Sequence, residues 1–166
     1  MRDIVKEIMI KKFFPSFLLV TFIFILDRTS KYLILELSKP LGQFNIQITS
    51  FLNFNLIWNN GIAFGLLSFQ ENFYYEVITT LIIIVTLLVL WFALKSKGYE
   101  KMGFLMILGG ALGNIFDRLY YSSVIDFIDI SYNNYHWFIF NVADIFITIG
   151  VIMLIFLEFF KTKKNK

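Results

Sequence analysis

Cysteine is absent from this chain of 166 residues, and histidine occurs once, at position 136. Without cysteine there is no disulfide, no thiolate chemistry and no cysteine-based metal site, and redox compartment leaves no trace in the sequence. A lone His136 excludes a multi-histidine metal centre as well. Charge is also scarce. Charged residues make up 16% of the chain, against about a quarter in a soluble domain, while 58% are apolar and 19% aromatic. That balance describes an integral membrane protein, and the length leaves no room for a second sizeable domain.

The net charge of +3 invites a nucleic-acid reading, which its distribution rejects. Eleven of the fifteen basic residues fall in three clusters: Arg2, Lys6, Lys11 and Lys12; Lys95, Lys97 and Lys101; Lys161, Lys163, Lys164 and Lys166. Apolar segments separate the clusters. This is the arrangement in which basic residues flank spans on the cytoplasmic side, so the basic charge reports topology.

Four spans fit, at about 13–37, 77–94, 102–121 and 138–160. The apolar run from Phe13 to Leu26 makes only about 21 Å of helix, short of a bilayer core of roughly 30 Å. The first helix is therefore expected to continue through Asp27, Arg28 and Lys31, where Asp27 and Lys31 stand four apart and can pair. No small-residue cleavage site follows Leu26, so a removable secretory signal is not expected. The second span is free of charge and ends at a basic loop. The third contains Gly109 and Gly113, a small-residue pair that permits close helix approach, with plain packing as its simplest use. Both termini are then cytoplasmic, and the loops at about 38–76 and 122–137 lie outside.

Within the first outer loop, the even positions from Phe44 to Trp58 are mostly apolar and the odd ones mostly polar. That alternation predicts strand, and its length predicts a bend near Thr49 and Ser50 with two paired strands. Lys39, Pro40, Leu41 and Gly42 form the turn leading into it. A sheet on the membrane surface and a sheet packed against the spans explain the apolar face equally well.

Two acids then stand out. Asp126 follows the third span, and Asp144 lies on the fourth. Carboxylates at membrane depth are costly and usually face a polar cavity. Two close carboxylates share a proton, so one can take a proton from water while the other assists at a carbonyl, which requires neither a nucleophilic side chain nor a metal. Asn114, Asp117 and Arg118 share one helical face, with a local Asp117–Arg118 pair as the expected arrangement, and Asn141 stands three before Asp144. His136, between Tyr135 and Trp137, has no evident partner and reads as part of an interfacial aromatic belt. Spacing alone leaves two other readings open. One is a small cation or proton transporter using Asp117, Asp126 and Asp144; the other is a scaffold that binds a partner through its outer sheet.

Five segments in order resemble the lipoprotein signal peptidases (signal peptidase II). They are Asp27-Arg28-Thr29-Ser30-Lys31; Asn59-Asn60-Gly61-Ile62-Ala63-Phe64; Gly113-Asn114-Ile115-Phe116-Asp117-Arg118; Val124-Ile125-Asp126-Phe127; and Phe140-Asn141-Val142-Ala143-Asp144. Ile62 and Ile145 depart from smaller residues frequent in that family. The resemblance implies an α-helical membrane protein with four transmembrane helices, a small extracytoplasmic β-sheet cradle spanning 44–58, and a short interfacial helix near 69–76. It implies that Asp126 and Asp144 are catalytic. Asn114 and Asn141 orient the pair and substrate, while Asp27, Lys31, Asn59, Gly61, Asp117 and Arg118 support the site. The implied substrate is a prolipoprotein already diacylglyceryl-modified at cysteine, cleaved just before that cysteine in the bacterial cytoplasmic (inner) membrane. No cofactor, metal or nucleic acid is implied. A monomer in contact with membrane lipid is expected, as is binding of a family inhibitor such as globomycin at the aspartates.

Overall fold

In the computed structural model, which describes residues 2–39, 44–61, 72–132 and 135–164, four helices carry one small sheet at a single end. In chain order these are α1 (Arg2–Ser38), β1 (Asn45–Gln47), β2 (Leu52–Asn59), α2 (Asn72–Lys95), α3 (Gly98–Tyr121), β3 (Val124–Tyr132), β4 (Tyr135–Phe140) and α4 (Val142–Lys164).

The helices form where apolar residues leave the backbone no water to bond, so each N–H and C=O must be satisfied within its own segment. Hence α2 is helical despite its many Ile, Val and Thr residues. Among the described residues, three stretches are long and apolar enough to cross a membrane: Phe73–Lys95, Gly98–Tyr121 and Val142–Lys161. α1 is not among them. It nevertheless runs unbroken through Asp27, Arg28 and Lys31, as its length required, because Asp27 and Lys31 are buried against the other helices.

α3 is the central helix, and its glycines set how near its neighbours come. A Cβ on Gly109 would meet Ile23 of α1, and one on Gly113 would lie 2.5 Å from the Asp27 carboxylate. Gly110 faces the other way, against the Ala143 carbonyl of α4. The close packing expected of Gly109 and Gly113 is thus toward α1. At the far end, Lys161 of α4 bonds Glu100 of α3 at 3.0 Å, and the Lys101 ammonium sits 5.8 Å from the Phe13 ring centroid of α1. The α2–α3 link, the start of the apolar part of α1 and the end of α4 therefore share the end opposite the sheet.

The four strands are antiparallel in the order β1-β2-β3-β4. β1 and β2 are the two strands expected around a bend at Thr49 and Ser50, with Asn45 opposite Asn55. The apolar residues of this segment divide into two sets. Phe54 and Leu56, with Phe44, pack against Ile34 of α1 and Ile125 and Phe127 of β3, whereas Ile46, Ile48, Phe51 and Trp58 remain exposed. Burying a residue such as Ile125 completely is worth about 2–3 kcal/mol and fixes the sheet on the helix ends.

Two expectations need correction. The segment 122–137, expected as a loop, holds β3 and the first half of β4. The last helix begins at Val142, since Phe138–Phe140 are still extended and paired with β3. Asp144 consequently lies in the first turn of α4, and not the nearly two turns in that a span from Phe138 implies. The turn at Pro40–Gly42 lies outside the described residues, as do Ile62, Ala63 and Phe64. Of the short helix expected near 69–76, the part from Asn72 is the opening of α2, and the rest lies outside as well.

Candidate active site

Ser122 adopts a left-handed conformation (φ 55°, ψ 24°) that ends α3 and turns the chain into β3. Asp126 follows on that strand, 2% exposed. Asn59, at the end of β2, donates from Nδ2 to Asp126 Oδ2 at 2.7 Å. Asn141 donates from its own Nδ2 to Asp126 Oδ1 at 2.6 Å. Both oxygens of Asp126 are thus held.

Asp144 is fixed by the start of its helix. The Asp144 N–H bonds Asn141 Oδ1 and the Asn141 N–H bonds Asp144 Oδ2, each at 3.1 Å. This is reciprocal capping, which satisfies two backbone donors that a helix start leaves unpaired. The positive end of the helix favours a negative charge at that point. Asn114 of α3 donates to the second Asp144 oxygen at 2.8 Å and accepts from Asn141 Nδ2 at 3.1 Å. Asn114 and Asn141 therefore tie the two carboxylates together.

Behind them lies an ion cluster. Lys31 Nζ is 3.0 Å from Asp27 Oδ2, 2.7 Å from Asp117 Oδ2 and 2.9 Å from Asn114 Oδ1. Arg28 bridges the same two acids, at 2.7 Å to Asp27 and 2.5 Å to Asp117. Two positive charges thus match two negative ones, and removing any member strands a buried partner. The cluster also reaches the elements that carry the two carboxylates. The Ala143 N–H of α4 bonds Asp27 Oδ1 at 3.0 Å, and the Ile125 N–H of β3 bonds Asp117 Oδ2 at 3.3 Å.

The Asp27–Lys31 pair appears as its spacing predicted. The local Asp117–Arg118 pair does not form, since both side chains find partners elsewhere. Asp117 turns to α1, and Arg118 donates to the Gly61 carbonyl across the cavity. Gly61 in turn donates its N–H to Asn59 Oδ1 at 2.8 Å, so Arg118 and Asn59 hold the end of β2 between them. Arg28 had no assigned role from the sequence, although the need to neutralise two acids points to it. His136 also has a partner after all, with Nδ1 2.7 Å from buried Asp129. That partner was missed because it lies across the β3–β4 hairpin.

A cavity of about 230 Å³ opens at the pair, lined by both carboxylates with Asn59, Asn114, Arg118 and Thr148 among others. Burial, and next the negative charge of Asp144, push the Asp126 carboxyl up to about 7, against the bonds from Asn59 and Asn141 that favour its ionised form. A proton is therefore available near neutral pH beside a second carboxylate. Among the described residues, no group of three or more His, Cys, Asp or Glu side chains is arranged to hold a metal ion. Such a pair can activate water and protonate a carbonyl or a leaving amine.

Comparison with known proteins gives a consistent picture. The family model for signal peptidase (SPase) II matches residues 19–160. A lipoprotein signal peptidase of Pelagibacter ubique is 46% identical over 160 residues, covering 96% of each chain. One from Alteromonas mediterranea is 41% identical over 86% of this chain and 79% of its own. Two solved structures of bacterial membrane enzymes also superpose. The first has a TM-score of 0.76 at 31% identity over 92% of each chain. The second has a TM-score of 0.67 at 33% identity over 86% of this chain and 91% of that one.

Proposed function

This chain belongs to the signal peptidase II family, membrane peptidases that remove signal peptides from prolipoproteins, and we propose that Asp126 and Asp144 are the pair that performs the cleavage. The observation that carries this reading is the double tie through Asn114 and Asn141, which holds two buried carboxylates on one cavity wall.

The pair holds one proton between its members. At rest one member is protonated and the other ionised. The ionised carboxylate takes a proton from water as the water oxygen bonds to the peptide carbonyl carbon. The protonated carboxyl gives its proton to the carbonyl oxygen, and a tetrahedral diol forms. The carboxyl that gained water's proton gives it to the peptide nitrogen, a diol hydroxyl returns its proton to the other carboxylate, and the C–N bond breaks. A signal peptide carboxyl and a free amine on the lipidated cysteine leave. The neighbouring asparagines keep the carboxyls aimed through these steps. Lys31 and Arg28 neutralise the acids behind, so that no uncompensated charge competes for the shared proton.

A transport site would sit near the middle of the spans. Here the carboxylates lie where α4 begins and the sheet meets the helices, which favours hydrolysis at an interface. With Lys95, Lys97, Lys101 and Lys161 at the opposite end, both termini are cytoplasmic and the site faces outward across the inner membrane. α1 serves as a fourth span because its charged residues turn inward. The unit is one domain acting as a monomer, and globomycin occupies the site between the aspartates.

The substrate is a prolipoprotein carrying diacylglyceryl on its cysteine. The test is to incubate the purified protein in detergent with a synthetic diacylglyceryl lipobox peptide and weigh the products. A single cut on the amino side of the lipidated cysteine, blocked by globomycin, is expected. Folded protein that leaves the peptide intact, or cuts it elsewhere, contradicts the reading.

A further inference from the structure

On the other side of Asp144 lies a groove that the hydrolysis does not use. It has a volume of about 280 Å³ and is lined by Phe138 and Phe140 of β4 and by Asp144, Ile145, Thr148 and Ile149 of α4. Asp144 and Thr148 also line the cavity that holds both carboxylates. They stand four apart on α4, so one face of a single turn divides the two spaces. Both spaces have apolar walls, with Ile82, Ala111, Val124 and Ile147 in the cavity, but the cavity also carries Asn59, Asn114 and Arg118, whereas beyond the dividing ridge the groove has only two phenylalanines and two isoleucines. Phe138, Ile145 and Ile149 are 47%, 37% and 45% exposed, so the groove opens outward along the helix.

We propose that this groove seats an acyl chain of the lipidated cysteine, and that Phe138, Phe140, Ile145 and Ile149 set the preference for lipid length. The inference rests on the reading that the substrate is a diacylglyceryl prolipoprotein. In such a substrate the lipid is carried by the residue just after the bond to be cut. Its chains therefore begin a few bonds from the attacked carbonyl, and a chain passing over Thr148 enters the groove directly. A peptide lying there would leave its polar backbone unpaired against the aromatic wall, whereas a hydrocarbon chain has nothing to leave unpaired. Because the chain comes from lipid that is already apolar, the groove acts mainly through packing and orientation of the cysteine beside the dyad.

The experiment measures kcat/KM in detergent for two otherwise identical lipobox peptides, one dipalmitoylated and one dibutyrylated. Three proteins are compared: the unaltered chain, Ile149→Trp to fill the groove, and Leu88→Trp on the exposed face of α2 as a control. The unaltered chain and Leu88→Trp should prefer the long-chain peptide by about tenfold, and Ile149→Trp should lose that preference while still cutting the short-chain one. An unchanged preference in Ile149→Trp, or none in the unaltered chain, means that the groove holds only surrounding lipid and overturns the proposal. If the unaltered chain cuts neither peptide, the functional reading fails first. Should Ile149→Trp not fold, a palmitoyl chain ending in a diazirine is photolysed on the unaltered protein. Label on Phe138–Phe140 or Ile145–Ile149 supports the groove, and label confined to α1 and α2 overturns it.

Discussion

The side-chain amide of Asn141 lies 2.6 Å from Asp126, which is fifteen residues earlier and on a different element. Through its backbone N–H and side-chain oxygen, the same residue also caps the helix that carries Asp144. One asparagine thus fixes the position of one carboxylate and the starting point of the other.

Replacing Asn141 by alanine should therefore act on stability and turnover together. Losing the cap costs about 1 kcal/mol, and freeing Asp126 Oδ1 costs about 1–2 kcal/mol more. Thermal unfolding in detergent should show the loss. The kcat for a lipidated peptide should fall by about 10–100-fold with KM little changed, since orientation is lost and substrate contact is kept. A variant impaired in KM alone would place Asn141 with the substrate and not with the dyad.

The pH dependence follows from Asp126. Its carboxyl is raised from the ordinary value of about 4 to about 7, so the folded state holds this proton more tightly than the unfolded chain does. The stability it contributes is complete below about pH 4 and is lost as pH rises through about 7. Melting temperature should decline over that interval in the unaltered protein, and the decline should be flatter in Asp126→Asn. The kcat/KM profile should carry an alkaline limb near the same pH, as the pair loses its shared proton. A profile flat across that range would remove the proton from the mechanism.

Lys31→Met leaves Asp27 and Asp117 with Arg28 as their remaining cation. Stranding buried carboxylates in this way costs about 3–5 kcal/mol. Lys31→Arg should recover little, because a planar guanidinium does not replace a compact ammonium that bonds Asp27, Asp117 and Asn114 at once. Gly113→Ala should disturb the same cluster by about 1–3 kcal/mol, as its Cβ would meet the Asp27 carboxylate. Detergent-solubilised thermal melts of the three variants test this ranking.

How far the sequence revealed these features depended on whether the controlling contact was local. The Asp27–Lys31 pair follows from spacing along one helix, and α2 from an unbroken apolar run. β1 and β2 follow from alternation. β3 did not announce itself, because Val124 to Phe127 are buried on both faces and the alternation vanishes there. With β3 hidden, β4 reads as part of a loop and the apolar residues Phe138–Phe140 read as helix, which sets Asp144 deeper than its place in the first turn of α4. The Arg28–Asp117 link joins residues 89 apart, and spacing along the chain has no access to that distance. The site residues were nameable because five segments matched a family. The geometry adds what a resemblance cannot, namely that Asn114 and Asn141 bridge the pair and that Asp117 and Arg118 part company.

The most direct test of the aspartate pair is single-turnover cleavage of a diacylglyceryl lipobox peptide by Asp126→Asn and Asp144→Asn, with melting curves run on the same samples. Each substitution keeps the shape of the side chain and removes its ability to exchange a proton. Turnover should fall by at least about 10³-fold in both variants, while each still melts cooperatively at a temperature lowered by about a few degrees, because the new side-chain NH2 replaces an oxygen that accepted a hydrogen bond. Cleavage at the unaltered rate by either folded variant would contradict the assignment.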